Sequence, residues 1–192
     1  MEPARKTRFT EDEYLAIERA SEQKHELIDG EIYATAGGTP RHALVSVNVA
    51  TALSNALRDR PCVVLSSDQR VAVRSTGMYT YPDVTVVCGT SRFHDKDANT
   101  LINPTLIVEV LSSGTETHDR GAKLAHYRRL DSVQEVLLVV PEERRVETHR
   151  RIEGGQWISS PLDPASAPRI ELASIDVALA WDDVYAKVEL LG

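Results

Sequence analysis

Three short apolar runs set the frame for this chain: PDVTVVC at 82–88, TLIVEVL at 105–111 and VQEVLLVV at 133–140. Each has strand length and is rich in β-branched residues, which suit a pleated, buried surface. Between the second and third, Thr117–Leu130 carries an apolar stripe at helical spacing, formed by Leu124, Tyr127 and Leu130. Strand, helix, strand reads as a crossover. One residue breaks the dry pattern. With a period of two, Thr105, Ile107, Glu109 and Leu111 share one face of their strand, while Leu106, Val108 and Val110 share the other. An ionised carboxylate there is costly unless it is paired, hydrogen-bonded or bound to a cation.

The remaining segments supply the flanks. Thr10 and Glu13 make a capping box at the head of TEDEYLAIERA, a short helix. HELIDGEIYAT follows, with Asp29-Gly30 as the turn of a hairpin. GGTP at 37–40 is a break, and from Arg41 to Leu57 the apolar positions Val45, Val49, Ala52, Leu53, Ala56 and Leu57 fall on one helical face. CVVLSSDQRVAVRS, after Pro61, reads as one strand or as two with a bend. RVETHRRI and QWIS alternate around Gly154-Gly155 as a second hairpin, and the Pro- and Ala-rich 161–168 stretch gives no clear signal. The order predicts one α/β domain over residues 1–192, with a central mixed sheet flanked by helices.

Charge and cysteine content narrow the classes. The net charge of −7 weighs against a large basic nucleic-acid surface, although it permits a local patch. Cys62 and Cys88 lie in apolar runs without metal-ligand spacing, so the expectation is two buried free thiols in a reducing compartment. No stretch is long and apolar enough for a membrane span, and the start has no apolar signal core, which together predict a soluble cytoplasmic protein.

The chemistry rests on a few side chains. Asp83, behind Pro82, opens one strand-like run, and Glu109 sits inside the next. Two acids on neighbouring strands suit a hard divalent ion: magnesium takes oxygen ligands at about 2.1 Å and keeps several waters. The plainer alternatives are a turn cap for Asp83 and an arginine pair or solvent exposure for Glu109. Lys123 lies on the crossover helix after the Glu109 strand and shares a face with His126 and Tyr127. From there it would reach the carboxylates and offset charge developing on a phosphate; the alternative is a solvated helix lysine. Asp119, in the first turn of that helix, reads as a favourable partner of the macrodipole. Arg144, Arg145, Arg150 and Arg151 cluster around the second hairpin, and Arg128 and Arg129 add charge at the helix end. They could hold a nucleic-acid backbone, but diluted by Glu142, Glu143 and Glu147 they read first as a solvated face.

YPDVTVVC, then LIVEVLSSGTETHDRGAKLAHYRRL, then VQEVLLVVP, together resemble the Uma-type restriction-endonuclease family of the PD-(D/E)XK nuclease superfamily. HELIDGEIY and RHALVSVNVATAL fall where that family has its N-terminal motifs, so the resemblance spans roughly residues 10–150. It implies a restriction-endonuclease-like fold and a magnesium site, with manganese as a substitute, held by Asp83 and Glu109. The superfamily's usual lysine, two residues after the second acid, is replaced here by Leu111, and Lys123 matches the migrated position on the following helix. SSGT at 112–115 departs from the family's usual Ser-Pro-Ser-Thr. The same resemblance adds Glu26 and His42 as site candidates; a hairpin salt bridge and a structural histidine are the competing readings. It points to DNA as the substrate, and a nuclease that cuts both strands would suit a homodimer. Two other classes stay open: a non-catalytic scaffold that binds nucleic acid or itself, and a metal-dependent hydrolase of a smaller substrate.

Overall fold

The computed structural model describes residues 8–35, 37–112 and 119–191. Helix α1, Glu11–Ala20, begins at the capping box of Thr10 and Glu13, both halves of which are formed. Strands β1, His25–Ile28, and β2, Glu31–Ala34, pair antiparallel around Asp29 and Gly30. Both turn residues have positive φ, as a tight hairpin of this twist requires. Helix α2, Pro40–Ala56, has Thr39 as its cap and proline in its first turn.

The stretch read as one strand or two is two: β3, Cys62–Ser66, and β4, Arg70–Val73, lie in different sheets. After them come β5, Met78–Thr80; β6, Val84–Cys88; β7, Phe93–His94; β8, Asp97–Leu101; and β9, Leu106–Val110. The expected crossover helix is shorter than its sequence pattern. Among the described residues it is a π-helical turn, Asp119–Lys123, running into α3, Leu124–Tyr127; residues 117 and 118, and most of the SSGT segment, lie outside the described residues. Strands β10, Glu135–Val140, β11, Arg145–Arg151, and β12, Trp157–Leu162, form a meander. The hairpin β13, Ile170–Leu172, and β14, Val177–Leu179, follows, then α4, Trp181–Val184, and a 3-10 turn, Val188–Leu191.

The fold is the mixed α/β arrangement expected from sequence, a mixed sheet flanked by helices, and its strands divide into two six-stranded sheets. The first runs β2-β1-β5-β4-β8-β7, the second β12-β11-β10-β9-β6-β3. Strands β9 and β10 are parallel, as their crossover demands, and the other pairs of the second sheet are antiparallel. The alternation around Glu109 holds. Leu106, Val108 and Val110 pack with Val45, Val49 and Leu53 of α2. Ile107 and Leu111 pack on the other face with Leu124, Tyr127 and Leu130, and with Val71, Val73 and Met78 of the first sheet. Glu109 therefore points into the layer between the second sheet, α3 and the first sheet.

The free-thiol expectation is corrected. Cys62 and Cys88 are directly paired across β3 and β6 and form a disulfide. Facing positions on neighbouring strands bring the Cα atoms to 4.0 Å, a relation visible only once register is known. Protein unfolded without reductant should show no free thiol by colorimetric titration. Replacing both cysteines by serine should cost about 3.5 kcal/mol in a thermal or urea melt, the closure entropy over a separation of 26 residues.

Candidate active site

Asp83 stands just before β6, at the end of its pairing with β9. Val84, the first residue of β6, pairs with Val108 of β9. Asp83 Oδ2 accepts a hydrogen bond from the Val110 amide at 2.7 Å, and its Oδ1 lies 3.2 Å from His42 Nε2 at the head of α2. The bond to Asp83 holds the imidazole above its ordinary pKa, against the opposing effect of burial. Gly38 lies against this ring: a Cβ there would come within 2.5 Å of His42 Nδ1.

Glu109 is 3 % exposed. Its Oε1 accepts from the Tyr127 hydroxyl at 2.5 Å and lies 3.7 Å from Lys123 Nζ. The same ammonium is 3.0 Å from Glu26 Oε1 on β1 and 3.3 Å from Asp119 Oδ1, four residues earlier in the π turn. Glu26 is anchored within the first sheet by the Thr80 hydroxyl at 2.5 Å and the Tyr81 amide at 3.1 Å. Thr80 Oγ1 lies 3.5 Å from the Tyr127 hydroxyl, which closes a ring of polar side chains at the joint of the two sheets.

The cluster is unbalanced. Three carboxylates meet one ammonium, leaving two negative charges in excess when all are ionised. Burial pushes the Glu109 carboxyl well above the usual carboxylate range; Lys123 opposes that shift, and Asp119, Asp83 and Glu26 add to it. Burial alone would lower the Lys123 ammonium, but Glu109, Glu26 and Asp119 together raise it above the ordinary lysine value. Both shifts have the same source: the crowded carboxylates disfavour ionisation of Glu109 and favour the charged form of Lys123. Burial, with Glu109 alongside, also raises Tyr127, so its phenol is a neutral donor.

A second buried polar group shows the contrast. Arg70, on β4, bonds Thr100, Tyr81 and Asp97 and lies 3.7 Å from Glu18, which itself accepts from Tyr81 and the His25 amide. That group is closed by hydrogen bonds and has the form of a structural network. Two of the arginines grouped with the second hairpin, Arg151 and Arg128, are also committed. Arg151 donates to the carbonyls of Val133, Arg128 and Leu130 and lies 4.8 Å from the Trp157 ring. Arg128 contacts His149 and the same ring. These two brace the end of α3 on the sheet.

All five site candidates are thus placed in two adjoining groups, Asp83 with His42 and Glu109 with Lys123 and Glu26. Asp119 and Thr80 were missed as members. Asp119 carried a signal, its i, i+4 spacing to Lys123; Thr80 carried none. Oxygen donors on Asp83 and Glu109 and an excess of buried negative charge fit a hard divalent cation. Among the described residues no group of three or more His, Cys, Asp or Glu side chains is arranged to hold a metal ion.

Fold and site define a mixed α/β protein with buried acids and a lysine at the seam of two sheets. The chain belongs to the Uma2 family, described as "Putative restriction endonuclease", whose model matches residues 11–180. Two uncharacterized proteins of Synechocystis sp. are similar to it. One is 35% identical over 179 residues, covering 93% of this chain and 92% of the relative. The other is 33% identical over 154 residues, covering 80% and 87%. A crystal structure from Anabaena variabilis, described as "a putative nuclease belonging to DUF820", superposes with a TM-score of 0.76 over 94% of this chain and 99% of that one. At 19% identity it shows a shared fold. Among the described residues no helix is long and apolar enough to cross a membrane.

Proposed function

We infer that this chain is a divalent-metal-dependent endonuclease acting on DNA, with magnesium as its ion and manganese as a substitute. The observation that carries this reading is the buried excess of carboxylates around one lysine, next to the Asp83–His42 pair. A fold has no structural need for such an excess, whereas a site that takes a cation and a phosphodiester does. Membership of a family described as a restriction endonuclease supports the same substrate class.

Asp83 and Glu109 would hold the ion, which when bound would supply Lewis-acid polarisation of the phosphoryl group. The chain's own groups do the rest. His42 and the Val110 amide fix Asp83 in place, and Tyr127 fixes Glu109. Lys123 sets a positive charge where negative charge develops on the phosphate. Glu26 ties that lysine to the first sheet. Cutting both strands of a duplex suits a two-fold homodimer.

The test is a plasmid-nicking assay with titration calorimetry for Mg²⁺. Wild type should nick only with Mg²⁺ or Mn²⁺. Asp83→Asn should lose both cleavage and the heat of metal binding while melting near the wild-type temperature. A wild-type chain inert with either ion on duplex and single-stranded DNA would refute the reading, as would full activity in Asp83→Asn.

A further inference from the structure

We propose that Asp119 is a positioning residue: it fixes the Lys123 ammonium in the site and acts on the reaction only through that lysine. The proposal rests on the nuclease reading above and adds a residue to it. Asp119 is 3 % exposed, and its Oδ1 takes no hydrogen bond among the described residues. The positive charge it faces is Lys123 Nζ at 3.3 Å. A carboxylate so deeply buried is expensive, and a fold would normally satisfy it with directed donors. Here the compensation is the ammonium.

Placement gives the reason. Asp119 and Lys123 are the first and last residues of the π turn, a rare form that tends to occur at functional positions. The ammonium stands on a tripod: Glu26 at 3.0 Å, Asp119 at 3.3 Å and Glu109 at 3.7 Å. The first leg belongs to the first sheet, the second to the turn that carries the lysine, and the third to the acid that would hold the ion. Once Glu109 is engaged by a cation its pull on the lysine weakens. Glu26 alone would then draw the ammonium toward the first sheet. Asp119 opposes that displacement and keeps the charge beside Glu109.

The experiment uses the full chain, a duplex oligonucleotide and Mg²⁺, in wild type, Asp119→Asn, Asp119→Glu, Lys123→Ala and the Asp119→Asn/Lys123→Ala double variant. Asp119→Asn should lower kcat about 10–100-fold, the usual cost of losing a supporting partner. KM should stay within about twofold, since the lysine serves the transition state. Asp119→Glu should recover part of the rate. In the Lys123→Ala background Asp119→Asn should change nothing further, the non-additivity of two residues acting as one. A readout independent of activity is acetylation by an N-hydroxysuccinimide ester, followed at Lys123 by mass spectrometry. Lys123 should be protected in folded wild type and label faster in Asp119→Asn. The proposal is overturned if Asp119→Asn multiplies the loss in Lys123→Ala, or if Lys123 labelling is unchanged in Asp119→Asn. If wild type does not cleave, the nuclease reading fails, and the labelling arm still decides whether Asp119 holds the lysine.

Discussion

In Glu109→Gln, Mg²⁺-dependent cleavage is expected to disappear while the metal-free protein melts at or above the wild-type temperature. Breaking a buried ion pair ordinarily costs about 3–5 kcal/mol, because the surviving charge is left unpaired. This site escapes that rule. Lys123 keeps Glu26 and Asp119 when Glu109 is neutralised, and the cluster sheds part of its negative excess. The amide oxygen of glutamine can still accept from the Tyr127 hydroxyl, and desolvating an amide is cheaper than desolvating a carboxylate. The sign with pH follows. Burial raises the folded-state pKa of Glu109 above its unfolded value. Its proton-linked contribution is therefore fully present below the unfolded pKa and lost as pH rises through the folded one. The advantage of Glu109→Gln over wild type should grow as pH climbs through that range. Thermal melts in chelator at several pH values, beside plasmid nicking in Mg²⁺, measure both halves. A large fall in melting temperature, or an advantage that shrinks with rising pH, would make Glu109 a structural ion-pair partner.

What the sequence made legible was local. The period-two alternation around Glu109 was readable because burial on both faces leaves only that residue out of place, and the structure keeps each neighbour on its expected side. The Thr10 capping box and the Asp29-Gly30 turn are short-range signals and formed as read. The two-sheet arrangement was not legible. Strands β5, β7 and β8 are too short or too irregular to show a period, and the parallel β4–β8 pairing joins residues 30 apart. The disulfide was hidden for the same reason, since nothing in the spacing of Cys62 and Cys88 reveals that their strands pair in register. Asp119 looked like an ordinary first-turn acid because its burial, and the reach of Lys123 from the same turn to Glu26 on the first sheet, appear only in three dimensions. The candidate acids and Lys123 were nameable from motif order, but the excess charge that makes the cluster informative is a property of three dimensions.

Lys123→Ala is expected to be the most damaging single change in the molecule, and for two separable reasons. The first is stability. Removing the ammonium leaves Glu26, Glu109 and Asp119 buried without a counter-charge, the situation that costs about 3–5 kcal/mol. The second is rate. Loss of a charge poised for the transition state should lower kcat about 10²–10³-fold, with KM changed much less. Metal binding should move the other way. In the metal-free protein the ammonium sits 3.7 Å from Glu109 and competes for it, so Mg²⁺ should bind the variant at least as tightly as wild type. By linkage, Mg²⁺ should then raise the melting temperature more in Lys123→Ala than in wild type. Adding Glu109→Gln should restore part of the lost apo stability, because one of the stranded acids is neutralised, without restoring cleavage. The check is a set of melts in chelator and in Mg²⁺ for wild type, both single variants and the double variant. Equal Mg²⁺ shifts in wild type and Lys123→Ala, with no recovery in the double variant, would place the lysine on the solvated face that its helix position first suggested.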